Sequence, residues 1–484
     1  LVEGNSDIRR DEREVAWAAC CAAVLVLAGA LRVWAGLNDL WLDEIWSLTV
    51  AQRLSSWTDV LRWSHDNNHP LNTLFLYWLA PQRHWVIYRV PAMLAGVGTV
   101  ALAWRIGYER GRPAAMACAI LTGFSYLLIH YASEARGYSC AVLFAFLAYW
   151  TLGKSFSTGR WQWACCFAFS CVLGFLSHLT FLYVYVAALS WSLSRWFKPG
   201  ADWRKWGLTA AACHGLPLVT MTLLYRGFVR PMVIGSGTAP KNLGDIALQA
   251  ASLCVGGPMK GSAAAFCGVL ALALLLWAIA GLRSGEGKDE VFFAWAIVLG
   301  PALVVLACPS VAFHERYLLP ATALFLLLLG LKLPGLWQRG GYARGFCILL
   351  MVAFVVGNGR NFARLVRYGR GGNLEVVAYM AEHTAGPDVT IGGQGTGGYF
   401  RAKLVTAFFI PYQRVSKRWR YYDSPYWPPG GPEWVLVDSQ APASIRVPRG
   451  SGERYQLRRT FPFAGLSGWP WLLYHNTAFA APAG

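Results

Sequence analysis

Pro70-Leu-Asn-Thr-Leu-Phe-Leu-Tyr-Trp-Leu-Ala-Pro81 is apolar almost from end to end, and it is only twelve residues long. Crossing the ~30 Å hydrocarbon core of a bilayer takes about 20 helical residues. Twelve residues rise only ~18 Å. The stretch therefore reads as a helix lying at the membrane interface or half-inserted, not as a span. Every apolar run that follows takes its orientation from that choice.

One longer apolar run precedes it, at residues 15–35. Ten follow, at about 88–106, 114–131, 138–152, 161–176, 179–193, 206–225, 263–282, 291–307, 317–331 and 345–357. With eleven spans and the N-terminus inside, the basic clusters all fall on one side. These are Arg9/Arg10/Arg13, Arg105/Arg110/Arg112, Lys154/Arg160, Arg195/Lys198/Arg204/Lys205, Arg283/Lys288 and Lys332/Arg339/Arg344. Counting 70–81 as a twelfth span would put most of them outside, against the positive-inside rule. The outward segments are then 36–87, 132–137, 177–178, 226–262, 308–316 and everything after about Asn358.

Composition agrees with a lipid solvent. Of 484 residues, 56% are hydrophobic and 14% charged, where a soluble protein carries roughly 25% charged residues. Mean hydropathy is positive, +0.38. One aqueous core could not bury that much apolar surface, because cores stop growing beyond ~250–300 residues. The 24 Trp and 21 Tyr suit the membrane–water boundary. The net charge of +18 sits mostly in the short loops, so it reports orientation and gives no reason to expect nucleic acid. The twelve cysteines run from Cys20 to Cys347, nearly all inside apolar runs, and no disulfide framework is expected. No signal-peptide cleavage pattern accompanies the first run, which is expected to remain as an anchor.

The expected fold is an α-helical polytopic membrane protein with about eleven transmembrane helices, interfacial helices in the first outer loop and a small C-terminal α/β extracytoplasmic domain. The expected divisions are a cytoplasmic segment at 1–14, a transmembrane catalytic domain at 15–361 with its first outer loop at 36–87, and the outer domain at 362–484. In that last part Asn373–His383 has helical spacing, and 388–391 and 433–437 read as short buried strands. From Arg364 onward it carries fourteen Lys/Arg against seven Asp/Glu. That basic surface suits anionic headgroups, an acidic acceptor or a lipid phosphate. Gly393-Gln-Gly395-Thr-Gly-Gly398 fits G-x-G-x-x-G, but a dinucleotide site also needs a helix start and an acid about 20 residues on. Tyr399-Phe-Arg-Ala-Lys403 gives no helix signal and Asp423 follows a proline and a basic run, so the glycines read as a loop facing the membrane site.

Ionisable groups near membrane depth are costly and mark function. Here five outward groups bring them to one interface: Asp43-Glu44 after the first span, His69-Pro70, Ser133-Glu134-Ala-Arg136-Gly-Tyr138, His178, and His314-Glu-Arg316-Tyr317. A transporter would more often place such groups near the midplane on broken helices.

In this order the residues resemble the GT-C glycosyltransferase superfamily, in the branch of the protein O-mannosyltransferases and the lipid A aminoarabinose transferase. Trp41-Leu-Asp43-Glu44 resembles the Asp-Glu signature after its first span. Asn68-His-Pro-Leu71 resembles its His-Pro-Pro-Leu segment, and Tyr88-Arg-Val-Pro-Ala-Met-Leu-Ala-Gly96 its Arg-Leu-Pro-Ser-Ala-Leu-Ala-Gly helix start. Ile129-His-Tyr-Ala-Ser-Glu134-Ala-Arg136-Gly-Tyr138 is similar to Tyr-Ser-Gln-Glu-Ala-Arg-Met-Tyr, and Arg316-Tyr-Leu-Leu-Pro320 to a late Arg-Tyr-Leu-Leu-Pro. Leu71 replaces a proline, and Gly137 a bulky residue.

The resemblance implies transfer of a sugar from a polyprenyl-phosphate carrier to a glycan, lipid or protein acceptor outside the plasma (inner) membrane, with inversion. Asp43 is then expected as the base that takes the acceptor proton, with Glu44 positioning acceptor or metal. Arg136 and Arg316 would hold the leaving phosphate. His69, Glu134, Tyr138, His178 and Tyr317 complete the expected substrate site. A divalent ion at Glu44 and His69 is left open. The competing class is a transporter or flippase of a lipid-linked saccharide, which would use the same outward cavity without a carboxylate base.

Overall fold

The computed structural model describes residues 2–484 except 80, 83, 197–201, 233–241, 283–288, 308–312, 395–397, 424–425, 440–444, 446–453 and 480–484. Residues 2–13, Trp196 and Tyr399 are described as backbone alone. Lys198, Arg283 and Lys288 of the basic clusters lie outside the described residues, as do Gly395, Thr396 and Gly397 of the glycine run. The chain forms two compact units: residues 1–36 with 54–361, and residues 37–53 with 362–484.

The first unit is helical. Its helices are α1 (Val2–Gly36), then α3 (Pro70–Leu79) after the second unit's α2 (Leu42–Arg53), then α4 (Val90–Tyr108), α5 (Arg112–Gly123) and α6 (Tyr126–Ala132). There follow α7 (Tyr138–Thr158), α8 (Trp161–Ser177), α9 (Leu182–Trp196), α10 (Trp203–Leu224), α11 (Leu243–Cys254) and α12 (Ser262–Ala280). The last are α13 (Asp289–Ala294), α14 (Gly300–Ala307), α15 (Leu319–Trp337) and α16 (Gly341–Tyr368), whose final turns belong to the second unit. Among the described residues, eight helices are long and apolar enough to cross a membrane, or nine if the bent pair α5–α6 is one span. At 17 and 15 residues, α8 and α9 are shorter. The ten residues of α3 rise about 15 Å, half a bilayer.

Lipid offers no hydrophobic drive for helices to associate, so they pack through small residues that let backbones approach. Gly330 of α15 is such a point: a Cβ there would come within 2.8 Å of the Cys118 backbone on α5. Buried leucines line the rest of α15, which is the most enclosed of the candidate spans.

The run at 114–131, expected from hydropathy as a span, is not one continuous helix. It breaks after Gly123, and α6 leaves α5 at 59°. A break inside a bilayer frees backbone groups that lipid cannot satisfy. Two side chains do so here. Arg32 of α1 is fully buried and donates to the carbonyls of Thr122 (3.2 Å) and Gly123 (3.1 Å) at the end of α5. Asn358 of α16 accepts the Tyr126 N–H at the start of α6, at 2.7 Å. A second arginine bonds a carbonyl at the end of α1, where Arg89 donates to Gly36 O at 2.8 Å.

The second unit is α/β. Its helices are α2, α17 (Asn373–His383) and α18 (Gly398–Phe409). Its strands are β1 (Asp388–Gly393), β2 (Arg418–Tyr422), β3 (Trp434–Val437), β4 (Tyr455–Phe461) and β5 (Trp471–Asn476), in the sheet order β2-β1-β3-β5-β4. β1 runs parallel to both β2 and β3, and the other pairs are antiparallel. β3 and β5 are buried along their whole length, and Val435, Val437, Ile445, Tyr455, Leu472 and Tyr474 form a core against Trp427.

The glycine run departs from the expectation. Gly398 opens the next described helix after β1, so strand, helix and parallel strand do occur in order. The head of that helix already holds an acid: Asp438 Oδ1 lies 3.9 Å from where a Gly398 Cβ would be, and Asp438 pairs with Arg401. A carboxylate there opposes a phosphate.

Candidate active site

Backbone economy places the groups. The end of α6 turns through Ser133–Gly137 into α7, and that turn lies beside the His178 end of α8 and the head of α3. Asn72 of α3 donates to Ala135 O at 2.9 Å, tying the short helix to the turn. Asn68 donates to the carbonyls of Val60 (2.7 Å) and Trp63 (2.8 Å) and accepts from Thr73, which fixes the approach to His69. Pro70, with no N–H to satisfy, starts α3.

Gly137, one of the two departures from the family pattern, has a steric cause. A Cβ on it would overlap the Ser177 carbonyl, 2.8 Å from its carbon, and crowd His69 Cβ at 3.1 Å. Only glycine lets the three segments meet.

Arg136, buried to 2% exposure, points its guanidinium at His69. Nη2 lies 2.8 Å and Nε 3.3 Å from His69 Nε2. Arginine can only donate, so Nε2 accepts and His69 is the neutral Nδ1–H tautomer. His69 stacks on His178 at 4.7 Å between ring centroids. His178 Nδ1 accepts the Thr180 N–H at 3.1 Å, leaving its proton on Nε2. Burial holds both histidines well below the usual imidazole range, and the positive charges of Arg136 and Arg316 push them the same way. Two arginines therefore act on two uncharged imidazoles.

Tyrosines complete the cluster. Tyr138 lies 4.3 Å from His178 and under the Arg136 guanidinium at 5.2 Å. Tyr317 lies 6.0 Å from His178, with Arg316 over its ring at 5.6 Å. Glu134 is fully buried, and its carboxylate meets His130 Nε2 at 3.1 Å. His130 stood inside the quoted motif without being singled out; its i, i+4 spacing to Glu134 was the available signal. Arg32, Asn72 and Asn358 gave no such signal, because each acts on a distant backbone atom.

The first unit thus gathers His69, Glu134, Arg136, Tyr138, His178, Arg316 and Tyr317. Asp43 and Glu44 belong to the second. They occupy the first turn of α2, where a helix end favours negative charge. Glu44 is fully buried and turns back on its own helix, accepting the Trp41 N–H at 3.1 Å. Among the described residues, no three His, Cys, Asp or Glu side chains gather as a metal-ligand set.

Together these features define a polytopic membrane protein with buried cationic and imidazole groups at the ends of its helices and a small sheet domain. It has a GT-C-like fold. Apo ArnT from Cupriavidus metallidurans matches with a TM-score of 0.50 and 12% identity, over 97% of this chain and 100% of that one. The same protein bound to undecaprenyl phosphate matches at 0.45 and 14%, over 97% and 99%. Archaeal oligosaccharyltransferase AglB from Archaeoglobus fulgidus, in complex with an inhibitory peptide and a dolichol-phosphate, matches at 0.43 and 10%, over 86% and 69%. At such identities the likeness is one of fold. No family model and no curated protein matches the sequence.

Proposed function

We propose that the protein is a polyprenyl-phosphate-sugar-dependent glycosyltransferase of the plasma (inner) membrane, acting on its extracytoplasmic face. The observation that carries the reading is the buried Arg136 fixed on neutral His69, with Arg316 acting on the same imidazoles. A phosphate leaving group needs no proton but gains from charged donors already in place. Two guanidinium groups beside the same rings can each donate hydrogen bonds to an incoming phosphate. The GT-C-like fold and the ordered motifs support the same donor class.

In the proposed reaction the acceptor hydroxyl gives its proton to Asp43 as its oxygen attacks the anomeric carbon. The bond from that carbon to the phosphate oxygen breaks, and the electron pair leaves with the polyprenyl phosphate. Arg136 and Arg316 take up the charge. Attack opposite the leaving group inverts the anomeric centre. His178, Tyr138 and Tyr317 line the sugar and phosphate, Glu134 orients the turn carrying Arg136 through His130, and Glu44 fixes the turn carrying Asp43.

Binding of undecaprenyl phosphate to the purified protein tests the donor site. Arg136→Ala and Arg316→Ala should each weaken it about tenfold or more, the worth of a charge-assisted hydrogen bond. Asp43→Asn should leave it within about twofold. Unchanged affinity in a folded Arg136→Ala variant would remove the donor site from this cluster.

A further inference from the structure

α2 is held by the C-terminal domain through three consecutive residues. Asn38 donates to Leu365 O at 3.4 Å, Asp39 accepts the Leu374 N–H at 2.9 Å, and Leu40 O accepts from Asn373 Nδ2 at 2.9 Å. The Asp39 bond has a specific cause. The N-cap of α17 is Gly372, at φ 57°, which has no side chain to satisfy the first-turn amides. Asp39, over 300 residues away in sequence, supplies the missing acceptor. Asn373 is itself buried and clamped, since its Oδ1 accepts Trp471 Nε1 at 2.7 Å. The clasp therefore runs from β5 through α17 to the three residues before α2. Further along α2, Trp46 packs on Phe400 of α18 at 4.9 Å.

We infer that Asp39 and Asn373 are positioning residues for the carboxylate at the head of α2: the C-terminal domain sets where Asp43 stands. Only three residues separate Asp39 from Asp43, and the Trp41–Glu44 clasp stiffens the join. The domain acts as the mount of the acid. The catalytic consequence rests on Asp43 being the transfer base; the mounting does not.

The test uses the full-length protein in nanodiscs, with the double variant Asp39→Ala/Asn373→Ala and the conservative Asp39→Asn, whose amide oxygen can still accept from Leu374. Backbone amide exchange is read over residues 42–48. It should accelerate at least about tenfold in the double variant while exchange in α7 stays unchanged. Transfer from undecaprenyl-phosphate-linked pentoses and hexoses to an envelope fraction is read beside it. Here kcat should fall about tenfold or more, as expected for a displaced catalytic group, with undecaprenyl phosphate affinity within about twofold. Asp39→Asn should stay within about threefold of the unaltered protein in both readouts. Unchanged exchange over 42–48, or exchange accelerated equally in α7, overturns the inference. So does accelerated exchange with an unchanged kcat, provided Asp43→Asn is inactive. If Asp43→Asn transfers normally, the base assignment fails instead, and the exchange measurement alone decides the mounting.

Discussion

Arg136 carries a buried charge whose guanidinium is held on a neighbouring imidazole. Its donors rest on a histidine nitrogen that burial and two nearby arginines keep unprotonated. The His69 imidazole orients the guanidinium by accepting from its Nε and Nη2. Gly137 is the steric counterpart. Gly137→Ala would drive a methyl group into the Ser177 carbonyl, which is backbone and cannot swing away. The expected cost is about 2–3 kcal/mol, read as a lower thermal unfolding midpoint in detergent together with weaker undecaprenyl phosphate binding. An unaltered midpoint would mean that the turn can move away from α8. Most of these groups were legible in the sequence because they are ionisable residues in or beside short outward loops. The partners were not: nothing in the chain links His69 to Arg136 or Asn72 to Ala135 before folding brings them together.

Among the elements, the broken pair α5–α6 explains the placement of Glu134 and Arg136. The break escaped a hydropathy reading because Phe124 is itself apolar and Ser125 alone interrupts the run. Its supports, Arg32 and Asn358, lie on other helices. Arg32→Met keeps the side-chain bulk but strips two carbonyls of their donors in a lipid environment. A loss of several kcal/mol is expected, seen as early unfolding with increased amide exchange in α6. Exchange confined to α1 would show that the α5 carbonyls are satisfied otherwise. In the sheet domain, α17, β1 and β3 followed from apolar pattern. β2 did not, since Arg418-Trp-Arg-Tyr-Tyr422 reads as a basic run, and α18 begins with a glycine. Glu433, next to β3, is a further consequence of burial: its carboxyl is pushed up to about 7, with Thr384 and Lys417 acting in the opposite sense and His475 Nε2 at 3.7 Å. A raised folded value means that its stabilising contribution is full below about 4.5, the ordinary value, and is lost as pH rises through about 7. Glu433→Gln should therefore slow β3 amide exchange at pH 8 by about tenfold or more and change it little at pH 4. Equal effects at both pH values would mean that the carboxyl is not neutral in the folded domain.

At the scale of the whole molecule, the division of labour differs from the division of the chain. Hydropathy separates spans from tail near Asn358, whereas the compact units assign residues 37–53 to the tail. Periodicity cannot reveal this, because the excursion is only seventeen residues of loop and short helix. The proposed donor groups lie in the first unit and the proposed base in the second. The central claim is that sugar leaves a polyprenyl phosphate with Asp43 as the base. Its most direct test supplies purified protein with undecaprenyl-phosphate-linked sugars and an envelope acceptor, and follows both sugar transfer and the freed lipid. Undecaprenyl monophosphate should be released in step with transfer. Asp43→Asn should abolish both while still binding undecaprenyl phosphate. Transfer surviving in Asp43→Asn, or lipid-linked sugar crossing the membrane intact with no lipid freed, would contradict it.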